Sequence, residues 1–268
     1  MIVPRLLWHI INMVNVAITG ASSGIGAALA RLYAAQGARL LLIARDRARL
    51  AEVAAACGAA AGCETASVDV RDRVAMAAAL GAFDARHALD VVVANAGITN
   101  ILEPGAPVEG TEEFERVIET NLLGAFNAMA PAAERMAARG RGRIGLVGSL
   151  AGLRGLPYSP AYCASKAGLK AMGEAMGAKL RPRGVTVTIA SIGFVATPLD
   201  DSIRSPKPFR MTPERAAARI AAAIAAGRAH VAFPLPLAWA TRLLALLPPR
   251  LGDALLRRIR VTGRNAGV

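Results

Sequence analysis

Aromatic side chains are scarce: Phe, Trp and Tyr make up 4% of the 268 residues. A core must therefore be built from Ala, Val, Leu and Ile, and a 54% hydrophobic content supplies enough of them. Cysteine is equally sparse. Cys57, Cys63 and Cys163, with three distant histidines, form neither a disulfide framework nor a metal-ligand spacing. An odd count and no secretory pattern point to a reducing, cytoplasmic setting. Acidic residues are few, 19 Asp and Glu against 32 Lys and Arg, for a formal charge of +13. A nucleic-acid binder would gather such charge into a patch or tail beside stacking aromatics. Here arginine is scattered along helix-like segments, with some clustering at Arg257, Arg258 and Arg260, so no nucleic-acid partner is expected. No apolar run is long enough to span a bilayer. The opening MIVPRLLWHIINM is short, carries Arg5 and His9 and has no cleavage-site pattern. It reads as an extension, residues 1–13, or as residues ahead of a true start at Met13.

What is present is a regular alternation. Apolar runs at 14–19, 39–44, 63–68, 90–94, 143–148, 185–190 and 230–233 predict strands. Between them, helices are predicted at 24–36, 47–56, 71–80, 111–138, 161–180 and 213–226. Uniformly apolar strands alternating with helices indicate a parallel sheet covered on both faces. The expected fold is α/β, a single Rossmann-like doubly wound domain over residues 14–234. Residues 235–268 fall outside the rhythm and are expected to form a C-terminal helical extension. Their Leu, Trp239 and arginines suit packing on the domain or on a sister subunit, with peripheral contact to anionic lipid as the alternative.

Three local patterns carry chemistry. The first is TGASSGIG, residues 19–26, at the first strand–helix junction. Glycines at 20, 24 and 26 let backbone approach a ligand closely, and the following helix aims its unpaired N–H groups at that space, which suits a pyrophosphate. The second is IARDR, where the second strand ends: Arg45 suits a 2′-phosphate, while Asp46 either caps the next helix or repels that phosphate. The third is AYCASKAGLK, which places Tyr162 and Lys166 one helical turn apart on one face. An ammonium about 4 Å from a phenolate, at an effective dielectric of about 20, stabilises it by roughly 4 kcal/mol. That would lower the phenol pKa by up to about three.

Together with the NAG of residues 95–97, Asn121 and Ser149, these motifs occur in the order of the short-chain dehydrogenase/reductase family, which the chain resembles over residues 14–233. The resemblance implies a nicotinamide dinucleotide, held as NADP(H) in preference to NAD(H). It implies pyrophosphate contacts from Gly20, Ser22, Ser23, Gly24, Ile25 and Gly26, and Arg45 on the 2′-phosphate. Asp69 and Val70 would meet the adenine, with Asn95, Ala96 and Gly97 on the adenosine side. Gly193, Val195 and Thr197 would contact the carboxamide, although Ile192-Gly193 replaces the family's usual Pro-Gly. Tyr162 is implied as general acid/base, Lys166 as its partner and a ribose ligand, Ser149 as a donor to the substrate oxygen. Asn121 is implied at a local helix kink, relaying protons to Lys166 through water. A homodimer or homotetramer is implied, joined through helices 111–138 and 161–180.

Substrate selectivity is expected from residues 150–160 and 198–211, the latter a loop with few packing anchors that would serve as a mobile lid. Leu153, Leu156, Phe194 and Leu199 are available for apolar contact. The leading expectation is an oxidoreductase on a carbonyl/alcohol pair. A dinucleotide-binding sensor or scaffold is the alternative, disfavoured because a pure binder needs neither Ser149 nor Tyr162.

Overall fold

A computed structural model describes residues 14–102, 105–256 and 262–263. The first thirteen residues, read above as an extension, lie outside the described residues, as do Arg257, Arg258 and Arg260. Strands β1 (Asn15–Thr19), β2 (Arg39–Ala44), β3 (Gly62–Ser67), β4 (Val91–Ala94), β5 (Gly142–Ser149), β6 (Val185–Ile192) and β8 (His230–Phe233) form one sheet. Its order is β3-β2-β1-β4-β5-β6-β8, and every pairing is parallel. The order reverses between β1 and β4, and a crevice opens there beyond the carboxyl ends of the strands.

Side chains alternate across the sheet, as a period of two requires. Val16, Ile18, Val91 and Val93 point into a layer with helices α1 (Gly24–Ala35), α2 (Arg47–Ala55) and α8 (Pro213–Ala225). Ala17, Val92, Ile144 and Leu146 point into the other, with α3 (Arg73–His87), α5 (Gly124–Arg139) and α6 (Pro160–Leu180). The aromatic shortage is met by close approach: Gly145 on β5 leaves room for the Ile224 side chain, whose Cδ1 lies 2.4 Å from where a Cβ would stand.

Two helices differ from the sequence expectation. α3 continues past Leu80 to His87, because Gly81 does not stop it. That glycine faces α5, where Arg135 Nη2 would lie 3.0 Å from an added Cβ. The expected helix 111–138 is two, α4 (Thr111–Ile118) and α5, joined by one π-helical turn at Glu119–Leu123 that contains Asn121. The tail forms α9 (Leu235–Leu246) and α10 (Pro249–Leu256). Among the described residues, no helix is long and apolar enough to cross a membrane.

The segment expected to be a loose lid is anchored instead. It holds a short helix α7 (Pro198–Asp201) and strand β7 (Ile203–Arg204), which pairs antiparallel with β9 (Thr262–Gly263). Asp200, 5% exposed, takes ion pairs from Arg210 at 2.8 Å and Lys207 at 3.3 Å. A bridge between Val195 and Met211 closes its base. Buried charge pairing supplied the anchors that an apolar pattern does not reveal.

Candidate functional site

A cleft of about 1410 Å³ lies at the carboxyl ends of β1, β4, β5 and β6. At one end it is floored by the turn between β1 and α1. Gly24 has φ +51°, a left-handed conformation, and a Cβ there would stand 2.9 Å from Thr197 Cγ2. Gly26 lies behind the cleft wall, and its helix packs so closely that a Cβ would meet Gly20 O at 2.1 Å. Helices α2, α3 and α8 have their first N–H groups capped by Asp46, Asp72 and Thr212 side chains. The α1 N-terminus, opening on Ser23, has no side-chain cap and no acid in its first turn. Its unpaired donors and positive dipole end face the cleft, so the turn fits a pyrophosphate. Ser22, Ser23 and Ile25 line the cleft beside it.

Farther along, Arg45 is exposed at the rim, while Asp46 is engaged as the α2 cap through Arg49 N at 3.0 Å and pairs with the Arg49 side chain. Asp46 thus serves the helix. Asp69 and Val70 line the same end. Arg71 grips Asp69 through its guanidinium at 2.8 Å, and this bond holds the carboxyl below its ordinary pKa. Asn95, Ala96 and Gly97 follow β4 into the cleft. Asn95 Nδ2 donates to Thr19 O at 3.0 Å, fastening β4 to the Gly-rich turn. Gly193, Val195 and Thr197 line the wall after β6, and Thr197 Oγ1 also caps α7.

Tyr162, Lys166 and Ser149 meet at the centre. Ser149 ends β5, where its Oγ accepts from Ala151 N at 3.1 Å, and it lines the cleft with Tyr162. Lys166, 5% exposed, donates from Nζ to Val147 O at 3.0 Å and lies 5.7 Å from the Tyr162 ring centroid. Gly97 separates this ammonium from Asn121: a Cβ on Gly97 would lie 3.4 Å from Lys166 Nζ and 3.2 Å from Asn121 Oδ1. Asn121, 1% exposed, accepts from Ile98 N at 2.8 Å and donates to Ile98 O at 2.9 Å and to Ser165 Oγ at 3.0 Å. These bonds occupy the amide, so its side chain braces the Ile98 loop against α6.

The electrostatics correct one expectation. Burial pushes the Tyr162 phenol up to about 12, an effect the nearby Ser149 hydroxyl only partly opposes. Burial also brings Lys166 down to about 8. The Coulomb argument from spacing assumed a solvated ammonium close to the phenol oxygen. In the fold Lys166 is buried and Tyr162 half-buried at the cleft, and desolvation outweighs their attraction. At neutral pH the pair is a protonated phenol beside an amine that is still charged but loses its proton at about 8 rather than at 10.5. Cys163, next along the helix, is buried, accepts from Leu156 N at 3.3 Å and has its thiol pushed up, as befits a packing residue.

Several contributors were not anticipated. Leu237, Thr241 and Leu244 of α9 and Leu256 of α10 wall the cleft opposite Tyr162, where Leu156, Phe194 and Leu199 also stand. Leu153 does not; it lines a separate recess with Arg154 and Asp253. The other addition is Glu109. Its carboxylate accepts from Ala161 N at the start of α6 and from Asn100 Nδ2, both at 2.6 Å, while Ser159 Oγ donates to Asn100 O at 2.6 Å. An anion at the helix N-terminus stabilises the end that presents Tyr162. Glu109→Ala should cost about 1–2 kcal/mol of stability in urea melts and lower kcat more than dinucleotide affinity, with Glu109→Gln, which keeps one acceptor and loses the charge, recovering only part of both. An unchanged kcat would show that α6 is seated by other means.

The comparisons agree with this architecture. Residues 14–208 match the short chain dehydrogenase family. An oxidoreductase of Myxococcus xanthus is 38% identical over 248 residues, 91% of this chain and 96% of its own. A 3-dehydrosphinganine reductase of Arabidopsis thaliana is 38% identical over 193 residues, covering 69% of this chain and 56% of its own. The crystal structure of levodione reductase superposes with a TM-score of 0.77 over 85% of this chain and all of that one, at 24% identity, a likeness of fold. A parallel sheet with a glycine-bordered crevice and a match over more than two thirds of the sequence lead to one conclusion: the chain belongs to the short-chain dehydrogenase/reductase family of NAD(P)(H)-binding oxidoreductases.

Proposed function

We propose that the protein transfers hydride between NADP(H) and a ketone or secondary alcohol, with Tyr162 as the general acid/base. The observation that carries this reading is the convergence of Tyr162 and Ser149 on the lining of one cleft, with the buried Lys166 one helical turn away. When bound, the nicotinamide supplies or accepts the hydride. Tyr162, held protonated, gives its proton to the oxygen of a substrate carbonyl as negative charge develops there, which suits the reductive direction. Ser149 donates to the same oxygen and fixes its place, as a preorganised dipole does. Lys166 holds the ribose side of the dinucleotide and, while charged, favours the phenolate left behind. Asn121 and Glu109 keep α6 and the Ile98 loop in register. A relative named as a reductase supports the carbonyl class, and the leucines from α9 and α10 favour an apolar substrate.

The preference for NADP(H) rests on Arg45 at the rim and on the engagement of Asp46 by Arg49 as the α2 cap. Arg45→Asp should raise KM for NADPH by roughly 10–100-fold, the worth of a charge-assisted bond to phosphate, and leave KM for NADH little changed. A wild-type enzyme that works better with NADH would remove this assignment. In this reading residues 14–234 carry binding and chemistry, and 235–268 are an extension whose helices α9 and α10 wall the cleft. The protein works in the cytoplasm as a homodimer or homotetramer. Phe114, Leu123 and Phe126, exposed along α4, the π-helical turn and α5, support a second copy on that face.

A further inference from the structure

Helix α9, LPLAWATRLLAL, is apolar nearly all round; Thr241 and Arg242 are its polar residues. One side, with Leu237, Thr241 and Leu244, lines the cleft. The opposite side shows Leu235, Trp239, Leu243 and Leu246, which are 61%, 59%, 60% and 80% exposed. Spacings of three and four put these four on one stripe, and α10 adds the exposed Leu251 and Leu255. A helix with two apolar faces belongs between two apolar phases. One of these is the cleft, and no part of the described chain covers the other.

The charges around the stripe say what covers it. Arg242 lies over the Trp239 ring, 5.5 Å from its centroid. From Leu235 to Val268 the sequence holds six arginines and one acid, Asp253, which Arg154 engages at 2.8 Å. Leucine and tryptophan beside Arg242, in a tail whose sequence is rich in arginine, suit a bilayer interface with anionic headgroups. A second copy fits less well. A two-fold contact would set Arg242 and Arg250 against their equivalents, and Asp253, the one acid of α9 and α10, is already engaged by Arg154. Phe114, Leu123 and Phe126 already offer another face for self-association. At twelve residues α9 is too short to cross a bilayer, so it would lie along the surface.

We propose that α9 and α10 dock the protein on an anionic lipid surface, bringing the mouth of the cleft to the bilayer so that an apolar carbonyl compound enters from the membrane. The docking stands on the exposed face alone; the entry of a carbonyl compound rests on the catalytic reading above.

The test is co-sedimentation of the full chain with vesicles of phosphatidylcholine, alone or with phosphatidylglycerol. The protein should sediment with the anionic vesicles and leave them at roughly 0.5 M salt, where screening is strong. A variant carrying Trp239→Ser, Leu243→Ser and Leu246→Ser should stay in the supernatant. It should keep wild-type turnover of a short water-soluble ketone, since none of the three lines the cleft. Wild-type protein left in the supernatant with both vesicles overturns the docking, as does a triple variant that still sediments. Loss of oligomeric mass in the variant without lipid binding by the wild type would assign the face to a second copy, and also overturns it. Vesicle binding by a protein that reduces no carbonyl would leave the docking standing and remove the catalytic reading.

Discussion

Replacing Tyr162 with Phe should lower kcat by roughly 10²–10⁴-fold, the usual contribution of a positioned proton donor. The ring stays, so packing on α6 and the contact with the Lys166 ammonium are retained, and the Ser149 hydroxyl remains to polarise the substrate. What disappears is the one proton held at the reacting oxygen. NADPH titrations followed by fluorescence should give a dissociation constant close to wild type, which separates a chemical defect from a binding one. Ser149→Ala should cost less, because it removes a dipole and leaves the donor. Near-normal turnover in the Phe variant would transfer proton donation to another group and undo the assignment.

Lys166→Met should make the protein a worse enzyme and a more stable one. Burial holds the Lys166 ammonium at about 8 against an ordinary value of 10.5. Below pH 8 the folded and unfolded chains both carry the proton, so the folded chain bears the whole cost of a desolvated charge. That cost is on the order of 3 kcal/mol. Between pH 8 and 10.5 the unfolded chain binds more protons, and wild-type stability rises across that window. Above it the penalty is gone. Methionine fills the same space without charge and forfeits the bond to Val147 O, worth about 1 kcal/mol. At pH 7 the variant should therefore melt higher than wild type, by about 2–4 °C for each kcal/mol of net gain, and the advantage should fade as pH approaches 10.5. Catalysis moves the other way. The cation that favours phenolate is lost in the variant, and in wild type it is lost as pH rises through about 8. Wild-type kcat/KM, which reports the free enzyme, should fall above that pH. A variant less stable than wild type at pH 7 would show that Lys166 is a structural pillar.

Much of the fold is legible in the chain because the determining signals are local. Apolar runs such as RLLLIA and VTVTIA, separated by helical stretches, lead to a parallel sheet without reference to distant residues. TGASSGIG and the Tyr162–Lys166 spacing are equally local. What the sequence concealed depends on partners far along the chain. Glu109 reaches Ala161 across 52 positions, and its place before α4 gives no sign of that. Asp200 reads as a loop acid until Lys207 and Arg210 close around it. The leucines of α9 look like a docking face for the domain, which is half their role; that they wall the cleft emerges only once β8 has set where the helix begins. The phenol misled for a related reason. Spacing along a helix fixes which groups are neighbours, but the water removed from them is decided by everything packed above.

The tail that closes the cleft has a consequence for redesign. β8 hands the chain directly to α9, so the residues that set the width of the opening come after those proposed to handle proton and dinucleotide. Part of the selectivity is thus written in a stretch of its own, while Leu156, Phe194 and Leu199 lie among the residues proposed for the chemistry. Exchanging residues 235–256 for another helical pair could retune which compounds are admitted while leaving the reacting centre intact, as one changes the bit on a drill without rebuilding the motor.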